Sequence, residues 1–195
     1  HSAIDTYFTY GYTDSKNSIY KSIKKIPPGH YFTIDTTVVC EPIIKKYWGV
    51  KFHSDYSKSR DEWKAIIMDT FTESVKIRLM SEVPLGAFLS GGIDSSAVVA
   101  VMSKLCNEPI KTFSIGFPEA EFNELSYAKL LSKKYNTDHH EMIVNPESVS
   151  LLPKLVEMFG EPFSDSSALP TYYVSKFAKE FVTVVLSGDG GDELF

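Results

Sequence analysis

The spacing of apolar residues alternates between helical and extended patterns from about residue 57 onward. Helical spacing between Ser57 and Glu82 predicts a long amphipathic helix with Asp61 and Glu62 near its start. A short apolar run, 85–89, then leads through a Ser-Gly-Gly turn into a second helix. That helix is predicted to bury Ile93, Ala97, Val98, Val101, Met102 and Leu105. The order of strand, tight turn and helix is typical of the units that build parallel sheets.

Similar units follow along the chain. The pattern predicts strands over 111–115, 140–144 and 182–186, and helices over 123–134, 146–159 and 169–180. We therefore expect an α/β fold with a doubly wound parallel sheet, whose ligand lies beyond the carboxyl ends of the strands at a switch in strand order. Residues 1 to about 50 predict a short helix and edge strands, a small α+β remnant that cannot form a domain alone.

Composition narrows the class of protein. The chain has 195 residues and a net charge of −5, so it lacks the basic excess of a nucleic-acid-binding protein. Its longest uncharged stretch, Val83 to Ile93, is shorter than the roughly 20 apolar residues of a membrane span, and no membrane partner is expected. Two cysteines, Cys40 and Cys106, are too few for a disulfide framework or a zinc site, which predicts a cytoplasmic location.

The two ends of the sequence predict a piece of a longer protein. His1 and Ser2 are interpreted as a tag remnant. The sequence stops directly after a glycine-rich and acidic loop, 188–193, of a kind that normally leads into another element.

Three loops leave the carboxyl ends of predicted strands: 90–96, 116–118 and 187–192. On a parallel sheet they meet at one rim. In the first loop two glycines allow close approach of a ligand, and the following helix offers unpaired N–H groups. With hydroxyls from Ser90, Ser95 and Ser96, this loop is predicted to bind an anion, best a phosphate.

A carboxylate inside this loop indicates a cation. Asp94 would repel a phosphate unless Mg²⁺ lay between them, and Asp94 with Asp192 would supply the one or two carboxylates that Mg²⁺ prefers. No Gly-Lys-Ser/Thr ending is present, which excludes the nucleotide-binding loop defined by that ending. No G-x-G-x-x-G spacing is present either, which excludes the dinucleotide-binding class. The residues thus suggest Mg·ATP. A plain turn with a helix cap, and a plain solvent loop over 188–192, remain the alternatives.

Other candidate sites have weaker support. His139, His140 and Glu141 lack the second histidine of a zinc-protease helix, since position 144 is Val, and are predicted to lie on a strand. No G-x-S-x-G elbow surrounds a serine, and Cys106 is predicted to be a core residue. Covalent acyl catalysis is therefore not expected.

Several motifs carry a resemblance to a known family. The run from Leu89 to Ser96 is similar to the S-G-G-x-D-S loop of ATP pyrophosphatases (the PP-loop). Around it stand VPLGAF (83–88), TFSIGF (112–117), HHE (139–141), EPFSDSS (161–167) and VVLSGDGGDELF (184–195). In this order they resemble the synthetase domain of glutamine-hydrolysing asparagine synthetases. Residues 1–50 resemble the tail of that family's glutaminase domain and its linker, and 51–195 the first part of its synthetase domain.

The resemblance implies roles for individual residues. Phosphates of ATP would lie at Ser90, Gly91, Gly92, Asp94, Ser95 and Ser96, and the adenine and ribose at Phe88, Ile115, Ser187 and Gly188. Asp94 and Asp192 would hold Mg²⁺. Asp94 and Asp189 are the expected catalytic residues, and Asp189 stands at an acidic position where many relatives have Glu.

The implied reaction is an ATP-dependent ligation. The aspartate β-carboxylate attacks the α-phosphorus of ATP, pyrophosphate leaves, and ammonia from glutamine captures the β-aspartyl-AMP. The implied partners are small molecules, and a homodimer is compatible with the family. The catalytic cysteine that relatives use on glutamine is not among these residues, so the 195 residues alone are expected to be weakly active or inactive. A related amide ligase for another carboxylate, or a non-catalytic nucleotide-binding domain, remains the alternative.

Overall fold

The structure is a computed structural model that describes residues 2–38, 41–118, 123–145 and 148–194. The chain divides into two compact units. The first comprises His1–Tyr56 with Ser148–Ser166, and the second Ser57–Glu147 with Ser167–Phe195. In chain order the elements are α1 (Ser2–Tyr10), β1 (His30–Thr33), β2 (Ile43–Lys46), α2 (Arg60–Arg78), β3 (Leu85–Phe88), α3 (Ile93–Leu105), β4 (Lys111–Gly116), α4 (Leu125–Tyr135), β5 (Asp138–Ile143), α5 (Ser148–Phe159), α6 (Ala168–Ala178) and β6 (Val184–Leu186).

The first unit holds α1, α5 and an antiparallel pair, β1 and β2. Buried Thr13 donates to Glu161 at 2.9 Å, and Lys25 forms an ion pair with the same carboxylate. Burial alone would raise the pKa of Glu161, but the hydrogen bonds from Lys25, Thr13 and the Ile19 N–H outweigh it and lower that pKa. The helix predicted over 146–159 is α5 from residue 148. Its predicted start lies outside the described residues, as does Cys40.

The second unit is built on a four-stranded parallel sheet with the order β5-β4-β3-β6. Gly86 pairs with Lys111 on one side and Val185 on the other, which fixes the register at the centre. The chain adds β4 and β5 to one side of β3 and then returns to add β6 on the other. The switch in strand order therefore lies between β3 and β6, where a ligand crevice is expected.

Both faces of this sheet are covered by helices. On one face Ala87 and Leu89 pack with the buried side of α3. On the other, Phe113 of β4 packs with Phe177 and Ala178 of α6. The predicted α/β class with a parallel, doubly covered sheet is confirmed. Cys106 packs, as predicted, against the core that Ala87 and Leu89 form with α3, which we call the first core.

Helix α2 begins with a capping box. The Ser59 hydroxyl accepts from the Glu62 N–H at 3.3 Å, and the Glu62 carboxylate accepts from the Ser59 N–H at 2.7 Å. Hydrogen bonds from the Ser59 hydroxyl and N–H lower the pKa of Glu62. Phe71, Val75 and Leu79 pack against the first core. Among the described residues, no helix is both long and apolar enough to cross a membrane.

The predicted buried face of α3 is partly wrong. Ile93 is 87% exposed, because it is the first helical residue and lies at the rim of the sheet. Leu105 is also exposed, at the last turn. The middle of α3 lies among β3, α2 and α4, so it buries more than one stripe, and Val99, absent from the predicted face, is fully buried.

Candidate functional site

The loop after β3 ends in a helix start without a side-chain cap. Gly91 has φ +95°, a conformation that favours glycine, and Gly92 is the N-cap of α3 with no side-chain hydrogen bond. Within the described part of the chain, no acceptor is found for the N–H groups of Ile93, Asp94 and Ser95. These N–H groups and the positive end of the helix dipole can bind an anion.

The three serines of this loop hold its shape. Ser90 Oγ lies 2.9 Å from Ser95 Oγ and accepts from the Gly92 N–H at 3.2 Å. Ser95 Oγ donates to the Gly92 carbonyl at 3.3 Å, and Ser96 Oγ donates to the same carbonyl. The hydroxyls of Ser90, Ser95 and Ser96 were predicted to donate to a ligand. In this structure they form hydrogen bonds within the loop instead.

The loop rests on the first turn of α4. A Cβ on Gly91 would lie 2.6 Å from Tyr127 Cβ and 2.9 Å from Ala128 N. Real Cβ atoms do not approach so closely, so only glycine lets the loop lie here. The start of α4 thereby supports the loop from behind.

The loop after β6 folds over the start of α3. The Gly191 N–H donates to the Gly188 carbonyl at 3.2 Å, and Gly190 has φ +91°, as at the third position of a type II turn. A Cβ on Gly188 would lie 2.5 Å from Ser95 N, and one on Gly191 would lie 2.5 Å from Asp94 Cγ. Both ends of the turn therefore lie directly against the first turn of α3.

This arrangement places one carboxylate, that of Asp94, against the loop after β6 at the open helix start. Asp94 is half-buried beneath Gly188 and Gly191, while Asp189 and Asp192 are exposed. The Ser187 hydroxyl donates to Asp189 Oδ2 at 2.9 Å. The loop after β6 contains three of the predicted residues and contacts two more. Those in the loop are Ser187, Gly188 and Asp189, and those it contacts are Asp94 and Ser95.

A cavity of about 230 Å³ lies beyond the carboxyl ends of β3 and β4. Phe88, Ser90 and Ile115, three of the predicted residues, line it. Phe117 belongs to loop 116–118, which was predicted to lie at this rim. Sequence reasoning did not assign the other lining residues to a site: Leu89, Phe113, Ser114, Glu124, Leu125, Pro170, Thr171 and Val174. The position of Phe113 and Ser114 in β4 was a usable signal, whereas nothing local pointed to the three residues of α6.

The histidine pair lies on β5, as predicted. His139 Nδ1 is 2.8 Å from Thr112 Oγ1, and His139 Nε2 is 3.2 Å from Glu141 Oε1 without the alignment of a hydrogen bond. Burial lowers the pKa of His139, although Glu141 acts in the opposite direction. His140 packs on Phe113 and Phe181. The described residues contain no group of three or more His, Cys, Asp or Glu side chains arranged to hold a metal ion.

The parallel sheet and the open helix start at its topological switch are typical of α/β domains that bind an anionic ligand. The family model described as asparagine synthase matches residues 67–195, and the chain belongs to this family.

Relatives from two organisms match nearly the whole chain. A putative glutamine-hydrolyzing asparagine synthetase 2 of Methanocaldococcus jannaschii is 40% identical over 99% of this chain and 37% of its own length. Glutamine-hydrolyzing asparagine synthetase 1 of Bacillus subtilis is 36% identical over 99% of this chain and 30% of its own. The chain thus spans about a third of the length of these curated relatives.

A solved structure gives a weaker match. The NMN synthetase from Francisella tularensis has a TM-score of 0.42 and 17% identity, covering 66% of this chain and 54% of that one. This similarity is too low to add to the description of the fold.

Proposed function

We propose that the full protein is a glutamine-hydrolysing asparagine synthetase. Residues 51–195 form part of its ATP pyrophosphatase domain, and residues 1–50 are the tail of its glutaminase domain with the linker. The aspartate β-carboxylate attacks the α-phosphorus of ATP and pyrophosphate leaves; ammonia released from glutamine then displaces AMP to give asparagine. Membership of the asparagine synthase family supports this proposal.

The observation that carries the proposal is the contact between the Gly188–Gly191 turn and Asp94 at the open start of α3. It places the Asp94 carboxylate at the same helix start as the unpaired N–H groups, where it would repel a bound phosphate. A polyphosphate bound with a divalent cation satisfies both. Such chemistry depends on positioning and charge neutralisation rather than on a protein nucleophile.

The residues present fit Mg²⁺. Asp94 and Asp192 supply hard oxygen ligands, and Mg²⁺ is usually held by one or two carboxylates together with phosphate oxygens and water. A site of this type needs no cluster of three protein ligands, in keeping with the described residues. When bound there, Mg²⁺ would supply positive charge that offsets the negative charge of the phosphates.

The remaining assignments follow the same site. Ser90, Gly91, Gly92, Ser95 and Ser96 shape the phosphate loop. Phe88 and Ile115 enclose the adenine in the cavity that they line. The chain at Ser187 and Gly188 lies beside the ribose. Asp94 and Asp189 serve as catalytic carboxylates. We also propose a cytoplasmic location and a homodimer.

Phosphorus NMR tests the proposal directly. The full protein is given ATP, Mg²⁺, aspartate and ammonium, alone and as the Asp94→Asn variant. We expect AMP and pyrophosphate that depend on aspartate, and their loss in Asp94→Asn. Asp69→Asn is the matched control, because it removes the same charge from an exposed position on α2 and should remain active.

Two results would contradict the proposal. Formation of ADP and phosphate, or no aspartate-dependent turnover by a folded protein, would exclude asparagine synthesis. A panel of other amino acids belongs in the same experiment: pyrophosphate release with another acid but not with aspartate would identify an amide ligase for a different acceptor.

A further inference from the structure

We infer that Ser187 is a positioning residue that holds the carboxylate of Asp189 in one orientation at the rim of the site. The inference rests on the proposed function, in which Asp189 is a catalytic carboxylate. It assigns to Ser187 a role through Asp189 rather than as a donor to the nucleotide.

The first observation is the position of Asp189 in the turn. Asp189 follows Gly188 in the turn that the Gly191 N–H closes onto the Gly188 carbonyl. Because Gly188 and Gly191 both lie against the first turn of α3, the backbone of Asp189 has a defined position beside that helix start. The side chain of Asp189 remains exposed, so its rotamer is not fixed by packing.

The second observation is the hydrogen bond that fixes this rotamer. The Ser187 hydroxyl donates to Asp189 Oδ2 at 2.9 Å, and in the described part of the chain no other side chain forms a hydrogen bond or ion pair with this carboxylate. Hydrogen bonds to an ionised carboxylate are stronger than those between neutral groups. With Oδ2 engaged by Ser187, Oδ1 is left for a reacting group.

A hydroxyl has a single hydrogen to donate. In this geometry Ser187 gives it to Asp189, so the same hydrogen cannot serve a ribose or phosphate oxygen. The two roles predict different kinetics. If Ser187 positions Asp189, loss of its hydroxyl lowers kcat, and only when Asp189 is present. If Ser187 contacts the nucleotide, the same loss raises KM for ATP with any residue at position 189.

The test is a double-mutant cycle in the full protein, with aspartate-dependent pyrophosphate release as the assay. Ser187→Ala is expected to lower kcat about tenfold, or about 1.4 kcal/mol, with KM for ATP unchanged. In the Asp189→Asn background, Ser187→Ala should change kcat less than twofold. Ser187→Thr keeps the hydroxyl and should restore most of kcat. Ser175→Ala, an exposed serine on α6, is the matched control and should match the wild type.

Crystal structures of the same proteins give a readout that does not depend on turnover. We expect one Asp189 rotamer in the wild type and in Ser187→Thr, and a changed or divided rotamer in Ser187→Ala. A raised KM for ATP, an equal loss in both backgrounds, or an unchanged rotamer in Ser187→Ala would overturn the inference. Absence of turnover in every protein, wild type included, together with the expected rotamers, would contradict the proposed function and support the positioning role.

Discussion

Replacement of Gly188 by alanine tests the contact on which the site depends. A Cβ at this position would lie 2.5 Å from Ser95 N and 2.8 Å from the carbonyl carbon of Asp94. Both are backbone atoms in the first turn of α3, so neither can rotate away. The variant must either lift the turn off α3 or displace the start of the helix.

The expected cost follows from overpacking. Inserting a methyl group where no space exists costs about 1–3 kcal/mol. For a chain of 195 residues, 1 kcal/mol corresponds to about 2–4 °C in Tm, so we expect Gly188→Ala to lower Tm by about 2–12 °C. Binding of Mg·ATP should weaken as well, because the unpaired N–H groups lie at the displaced contact.

Thermal unfolding with and without Mg·ATP measures both effects. Gly92→Ala is the control for stability, since Gly92 has φ −68° and a Cβ there would meet only the Ser90 hydroxyl, at 3.3 Å. Its Tm without nucleotide should stay close to that of the wild type. If Gly188→Ala unfolds within 1 °C of the wild type and binds Mg·ATP equally well, the turn does not lie against α3 as described.

Three further changes test other parts of the structure. Ser59→Ala should lower the free energy of unfolding by about 1 kcal/mol, because the first turn of α2 loses its cap; urea unfolding measures this, with exposed Ser54→Ala as a neutral control. Glu161 has a lowered pKa in the folded protein, so its contribution is present above its ordinary value of 4.5 and lost as pH falls through the folded pKa. In urea unfolding between pH 6 and 3, the wild type should have a higher free energy of unfolding than Glu161→Gln, and this difference should shrink as the pH falls. A difference that stays constant with pH would contradict the prediction. Burial lowers the pKa of His139 below its ordinary value of 6.5. The stability that this shift provides is present above pH 6.5 and is lost as the pH falls through the folded pKa. Acidification below pH 6.5 should therefore lower the free energy of unfolding more in the wild type than in His139→Gln. Parallel pH dependence in both proteins would refute the His139 prediction.

The strands and the site loops could be predicted because their signals are local. An apolar run such as 85–89 can be buried on both faces only within a covered sheet, and a Ser-Gly-Gly turn before a helix offers free N–H groups wherever it lies. Asp94 within that turn indicated a cation for the same local reason. Each of these inferences used neighbouring residues alone.

Other features depend on contacts between distant segments and left no local signal. Ile93 fits the helical stripe of α3 but lies at the exposed rim, since the stripe does not report where the sheet ends. Ile66 and Ile67 fit the stripe of α2 and are likewise partly exposed. Thr171 lines the cavity only because α6 covers that face of β4, a packing choice that periodicity cannot specify.

The register of the sheet explains why the two site loops form a single rim. Ala87 pairs with Leu186, so continuing both strands by two residues brings Leu89 level with Gly188. Just beyond this level, β3 leads into the Ser-Gly-Gly turn and β6 into the glycine-rich loop. Gly188 of the latter lies directly against Ser95 N. A shift of one residue in β6 would place Asp189 where Gly188 now lies, and no side chain fits there. The strand pairing, the glycines and the position of the carboxylates therefore depend on one another, although β3 and β6 lie far apart in the sequence.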